Sequence, residues 1–61
     1  MFVVVIESTI QFVGSWRGAS GFGKLCALAG DRPLVRKART GETAAYQIAL
    51  QSGRSLPAAS A

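Results

Sequence analysis

The chain opens with a run of β-branched and aromatic residues, Phe2-Val3-Val4-Val5-Ile6. That is the composition of a buried strand, so any fold must cover it. Phe2, Val4 and Ile6 fall on one face of such a strand because side chains alternate. Ile10-Gln11-Phe12-Val13 resumes the pattern after Ser8-Thr9, and Gly14 breaks it. Either one long strand carries an irregularity, or a short hairpin turns at Glu7-Ser8-Thr9. The N-terminal quarter is β on both readings.

Covering that strand is demanding for 61 residues. A chain of this size buries only about 60% of its unfolded surface, and small folds usually add a disulfide, a metal or a partner. With Cys26 as the single cysteine and no histidine, neither an intrachain disulfide nor an ordinary zinc site can form. A homodimer or larger assembly is therefore expected, with no cofactor. Residues 1–53 read as one small domain and 54–61 as a frayed tail. The apolar run falls far short of the ~20 residues of a membrane span. No basic residue precedes it and Glu7 interrupts it, which argues against a secretory signal. A cytoplasmic protein without membrane contact is expected.

The stretch Ser15-Trp16-Arg17-Gly18-Ala19-Ser20-Gly21-Phe22-Gly23-Lys24 reads as a flexible, cationic, aromatic loop, since glycines permit sharp turns and close approach to a ligand. Gly18 and Gly23-Lys24 have the spacing of a nucleotide-binding loop, but Leu25 stands where a hydroxyl should hold Mg²⁺. Glu7, Asp31 and Glu42 are scattered, and Cys26 has no evident base. The expected protein is not an enzyme.

Downstream, Lys24 to Ala29 is short and apolar, Gly30-Asp31-Arg32-Pro33 punctuates it as a turn, and Leu34 to Arg39 leads to a second turn at Thr40-Gly41. Glu42 to Gln51 fits two periods. As a helix it has Thr40 as a candidate cap, Ala45, Ile48 and Ala49 on one face, and Gly53 to close it. As a strand it has Ala44, Tyr46, Ile48 and Leu50 on one face. Propensity favours the helix.

Lys and Arg number 7 against 3 Asp and Glu, a net charge of +4 that suits a polyanionic partner. The cations are interleaved with aromatics. Single-strand binders need that mixture, because phosphates attract cations and unstacked bases lie on flat rings. Arg17, Lys24, Arg36, Lys37 and Arg39 are the candidate phosphate contacts, and Trp16, Phe22 and Tyr46 the candidate stacking platforms.

Met1, Val4 and Ile6, followed by Gly18-x-Ser20-x-x-Gly23-Lys24, resemble the first strand and binding hairpin of the single-stranded-DNA-binding (helix-destabilising) proteins of filamentous phages. Leu25-Cys26, Pro33-Leu34-Val35 and Ile48-x-Leu50-x-x-Gly53 resemble the middle of that pattern. The resemblance implies an all-β fold, a small OB-like five-stranded barrel. It also implies a symmetric dimer that coats single-stranded DNA with little sequence specificity, as in phage DNA replication in the host cytoplasm, and it adds Ser20 to the binding residues. An aromatic expected two residues after Gly23-Lys24 is Cys26 here. Arg36-Lys37-Ala38-Arg39-Thr40-Gly41, with Gly21-Phe22-Gly23 upstream and Leu56-Pro57-Ala58-Ala59 downstream, resembles the arm region of bacterial histone-like proteins, which implies a duplex DNA binder. A third expectation is an α+β interaction protein whose helix over 42–52 buries Ala45, Ile48 and Ala49 against a partner protein.

Overall fold

In the computed structural model, which describes residues 1–58, the apolar run becomes the second strand of an open four-stranded sheet. The elements in chain order are β1 (Phe2–Ile6), β2 (Thr9–Gly14), α1 (Trp16–Leu28), β3 (Leu34–Lys37), α2 (Glu42–Gln51) and β4 (Leu56–Pro57). The strands lie in the order β3-β1-β2-β4, and every neighbouring pair is antiparallel. This α+β architecture corrects the expected five-stranded barrel: Trp16–Leu28 and Glu42–Gln51 are helices, and an open sheet replaces the closed wall. It matches the alternative reading of an N-terminal β segment with a helix near the C-terminus. Leu56–Pro57, placed by sequence in a tail, pair with Thr9–Ile10. The tail's last residues, 59–61, lie outside the described residues.

Strand β1 is buried on both faces, with Val3 and Val4 at 0% exposure. Adjacent strand residues point to opposite sides of a sheet, so each face needs its own cover. On one face lie Phe2, Val4, Phe12 and Val35, under α1; on the other, Val3, Val5, Ile10 and Val13 pack with Tyr46 of α2 and Leu56 of β4. Full burial of a valine stabilises by about 1.5–3 kcal/mol, and the core is small, so this central strand dominates it. The Cα radius of gyration, 10.8 Å, is close to the roughly 10.5 Å expected of a folded chain this long.

Both N-terminal readings contain part of the answer. The chain makes a hairpin, with Ile6 opposite Thr9 and a two-residue turn at Glu7 and Ser8, whose φ angles are 52° and 63°. Positive φ at both central residues matches the right-handed twist of the strands, although glycine and asparagine are the usual occupants. The strand is also irregular. Val4 faces Phe12 but Val5 faces Ile10, so a bulge at Gln11 separates them. The bulge brings Ile10 onto the same face as Val13. The Tyr46 hydroxyl of α2 donates to the Gln11 carbonyl at 3.0 Å, satisfying a group at the irregularity.

Helix α1 forms despite three interior glycines, each of which disfavours helix by about 1 kcal/mol. The Ser15 side chain caps it by accepting from the Gly18 N–H at 3.2 Å. Two of them admit the sheet, while exposed Gly21 faces open space. A Cβ on Gly18 would stand 3.0 Å from Cζ of Phe12, and one on Gly23 3.1 Å from Cγ2 of Val35. The Phe12 ring instead stacks on Phe22, centroids 5.4 Å apart, and buried Ala19 completes the seam. Both helices end in the same way. Gly30 (φ 97°) and Gly53 (φ 66°) take the left-handed conformation, while the next N–H, of Asp31 or Arg54, reaches back to the Cys26 or Ala49 carbonyl.

Relief of the left-handed strain at Ser8 predicts that Ser8→Gly raises the unfolding free energy by about 1 kcal/mol. Gly23→Leu, driven into Val35, lowers it by about 1–3 kcal/mol. Urea denaturation followed by circular dichroism measures both.

Candidate nucleic-acid interface

Helix α1 and strand β3 bring together part of the expected set. Gly18 and Phe22 lie on the flank of α1 that meets Phe12 of β2, while Ala19 and Gly23 face the sheet. At 100° per residue, Ser20 falls on the other flank, and Arg17 and Lys24 lie on the same side of the helix but turn mostly to solvent. Strand β3 presents Val35 and Lys37 on the α1 side, because Val35 touches the α1 face and Lys37 shares its parity. Arg17, Lys24 and Lys37 are exposed, and Ser20 is half-buried.

Trp16 lies at the N-terminal end of the same helix. Its ring meets Phe2 edge to face, centroids 5.1 Å apart and planes at 64°, and the residue remains 58% exposed. Phe2 is the cross-strand partner of Lys37, so Trp16 and Lys37 occupy the same end of the sheet. Phe2 thus braces a solvent-facing indole next to the cations.

The other expected residues are placed elsewhere. Phe22 is half-buried in its stack on Phe12, and Tyr46 is half-buried against Val3, Val5 and Ile10. Arg36 points to the opposite face from Lys37. Its Nη1 and Nη2 each donate to a different carboxylate oxygen of Glu42 at 2.8 Å, and Nη1 also donates to the Lys37 carbonyl at 3.2 Å. Arg39 is exposed, and its backbone N–H donates to Glu42 Oε1 at 2.7 Å. Glu42 therefore organises the start of α2 in place of Thr40. The N-cap is Gly41, which makes no side-chain cap bond. Of the face expected to meet a partner protein, Ala45 and Ala49 are half-buried and Ile48 is 65% exposed.

The paired guanidinium pulls the Glu42 carboxyl down from 4.5 to about 2, chiefly through its hydrogen bonds. Desolvation opposes the shift, and the Arg39 N–H and the charges of Arg36 and Arg39 add to it. Glu42 in turn raises the pKa of Arg36 by the same hydrogen bonds. The two side chains are only 20% and 11% exposed, so solvent screens the pair less than an ordinary surface bridge.

A shallow hollow lined by Ile6, Glu7, Gly30, Asp31 and Arg32 lies at the far end of the sheet from Trp16. Among the described residues, no group of three or more His, Cys, Asp or Glu is placed to hold a metal, and no helix is long and apolar enough to cross a membrane. No family model, curated protein or solved structure matches this chain.

Trp16, Arg17, Ser20, Lys24 and Lys37 were named from the sequence as candidates; Phe2, the brace beneath Trp16, was not. The stripe Arg17, Ser20, Lys24 has helical spacing, and Ser15 ahead of it is a capping residue. Those signals were available in the sequence; the glycine content pointed the other way.

A depressed carboxyl contributes stability above its unfolded pKa and loses it as pH falls through the folded one. The Arg36–Glu42 contribution is therefore complete above about 4.5 and disappears between there and about 2. Glu42→Gln is expected to lower stability at neutral pH by about 2 kcal/mol and to flatten this part of the acid-unfolding curve. Thermal melts across that range test both.

Proposed function

We propose that this protein binds single-stranded nucleic acid, without chemistry of its own, across the surface formed by α1 and β3. The observation that carries the reading is that Arg17 and Lys24 of α1, Lys37 on the α1 side of β3 and the indole of Trp16 are all exposed. Three exposed cations there suit a short run of phosphates, and Ser20 adds a hydroxyl donor. A base that leaves the strand can lie on Trp16, and stacking of this kind contributes about 1–3 kcal/mol and tolerates any base. Little sequence specificity is expected.

Phe22, Arg36 and Tyr46 have no part in this reading, since a ring stack, a carboxylate pair and the core engage them. It also differs from a duplex binder with a protruding arm. Arg36-Lys37 lie within β3 and its pairing to β1 instead of in an extended arm.

The test is quenching of Trp16, the single tryptophan, by oligo-dT at several salt concentrations. Saturable quenching is expected, with a slope of log K against log salt of about −2, since each phosphate contact on a single strand contributes about −0.7. Lys37→Ala or Lys24→Ala should each reduce that slope by about 0.7. Arg54→Ala, remote from that surface, should leave it unchanged. Equal affinity for a duplex of the same length would replace single-strand binding with generic polyanion binding. Absence of quenching at low salt would sink the reading and leave a protein partner as the better account of exposed Ile48 and Leu50.

A further inference from the structure

Strand β3 is an edge strand, and its edge chemistry is asymmetric in an informative way. The Ala38 N–H donates to the Met1 carbonyl at 2.9 Å, so Ala38, Arg36 and Leu34 turn their backbone groups toward β1. Backbone direction alternates along a strand, which leaves the N–H and C=O of Val35 and Lys37 facing outward with the carbonyl of Pro33. Pro33 brings no donor, and the Lys37 carbonyl already accepts from Arg36 Nη1 at 3.2 Å. The outward set is thus Val35 N–H, Val35 C=O, Lys37 N–H and Pro33 C=O. That set is self-complementary.

We propose that two copies of the chain pair antiparallel through β3, with a twofold axis at Val35. The N–H of Val35 in each copy donates to the Val35 carbonyl of the other, and each Lys37 N–H donates to the Pro33 carbonyl of the other. The one outward carbonyl left over, that of Lys37, is the one Arg36 already satisfies. Alternative registers fail on stated grounds. A shift of one residue places side chains of opposite faces against each other. A shift of two centres the pair on Arg36, sets the two guanidinium groups opposite each other and calls on the Lys37 carbonyl that Arg36 already occupies, and a shift of four centres it on Lys37 and sets the two lysines face to face. Proline and lysine are residues that guard edges against promiscuous pairing; here they leave one register open.

In that register Leu34, 57% exposed in the single chain, lies directly opposite Arg36 of the second copy, whose charge Glu42 balances. The apolar side chain covers the guanidinium stem. The sheet extends through both copies, and each helix α1 keeps its place over its own β3. The proposal concerns the backbone edge and does not rest on the nucleic-acid reading, so its test contains no nucleic acid.

A pairing this short is expected to be weak, so sedimentation velocity is run from about 10 µM to about 1 mM chain, the regime of small interfaces. The unmodified chain should shift from monomer to dimer across that range. Leu34→Lys sets a positive charge against Arg36 of the second copy and should weaken association about tenfold or more. Leu34→Glu sets a negative one there and should keep or tighten it. Both changes fall on an exposed side chain, and circular dichroism confirms that each variant folds. Amide exchange on the unmodified chain gives a second reading: Val35 and Lys37 should gain protection with concentration. A monomer at about 1 mM, equal behaviour of the two Leu34 variants, or concentration-independent exchange at Val35 and Lys37 would each overturn the proposal.

Discussion

The structure depends on one constraint, that β1 must be dry on both faces. A half-buried antiparallel strand alternates apolar and polar residues, whereas Phe2-Val3-Val4-Val5-Ile6 has no polar side to give to water. A closed barrel would cover one side of such a strand and leave Val3 and Val5, or else Phe2, Val4 and Ile6, exposed on the other. Two helices, one per face, solve the problem with few residues. Each helix follows a strand and returns the chain across the sheet, so the order β2-α1-β3-α2-β4 and the central position of β1 answer the same demand.

That solution explains the glycines. Ordinary side chains hold a helix off the layer it packs on, and a chain of 61 residues has little bulk with which to fill the gap. Gly18, Ala19 and Gly23 let α1 settle directly onto Phe12 and Val35. The same residues made the stretch look like a phosphate-binding loop, because glycine for close approach and glycine for flexibility are indistinguishable as letters. What separates them is the partner across the contact, and Phe12 and Val35 are remote in sequence. Propensity did identify α2, where alanines, Glu42 and the closing Gly53 agree. It also identified the N-terminal β segment. The bulge at Gln11 was legible only as an unresolved irregularity, since its position depends on Tyr46, 35 residues away.

The candidate site was legible to a similar degree and for a similar reason. Basic and aromatic residues were visible by type, but exposure and pairing separate a binding residue from a structural one. Arg36 and Lys37 are neighbours with the same charge, and nothing local distinguishes them. Glu42 does, from six positions downstream, by taking both ends of one guanidinium. Phe22 and Trp16 differ likewise: Phe12 receives the first ring as a stacking partner, while Phe2 meets only one side of the second.

Strand β3 therefore does three things with four residues, and parity keeps them apart. One face carries Arg36, which ties α2 to the sheet; the other, the α1 side, carries the exposed Lys37. The edge carries backbone groups that neither face uses. A one-residue slip against β1 would exchange the two cations, leaving Glu42 opposite a point charge that cannot bond both of its oxygens and turning the bidentate guanidinium to the α1 side. The register that buries Val4 against Val35 is thus the register that ties one cation to Glu42 and leaves the other exposed on the α1 side, and the proposed binding surface follows from the same packing that dries β1.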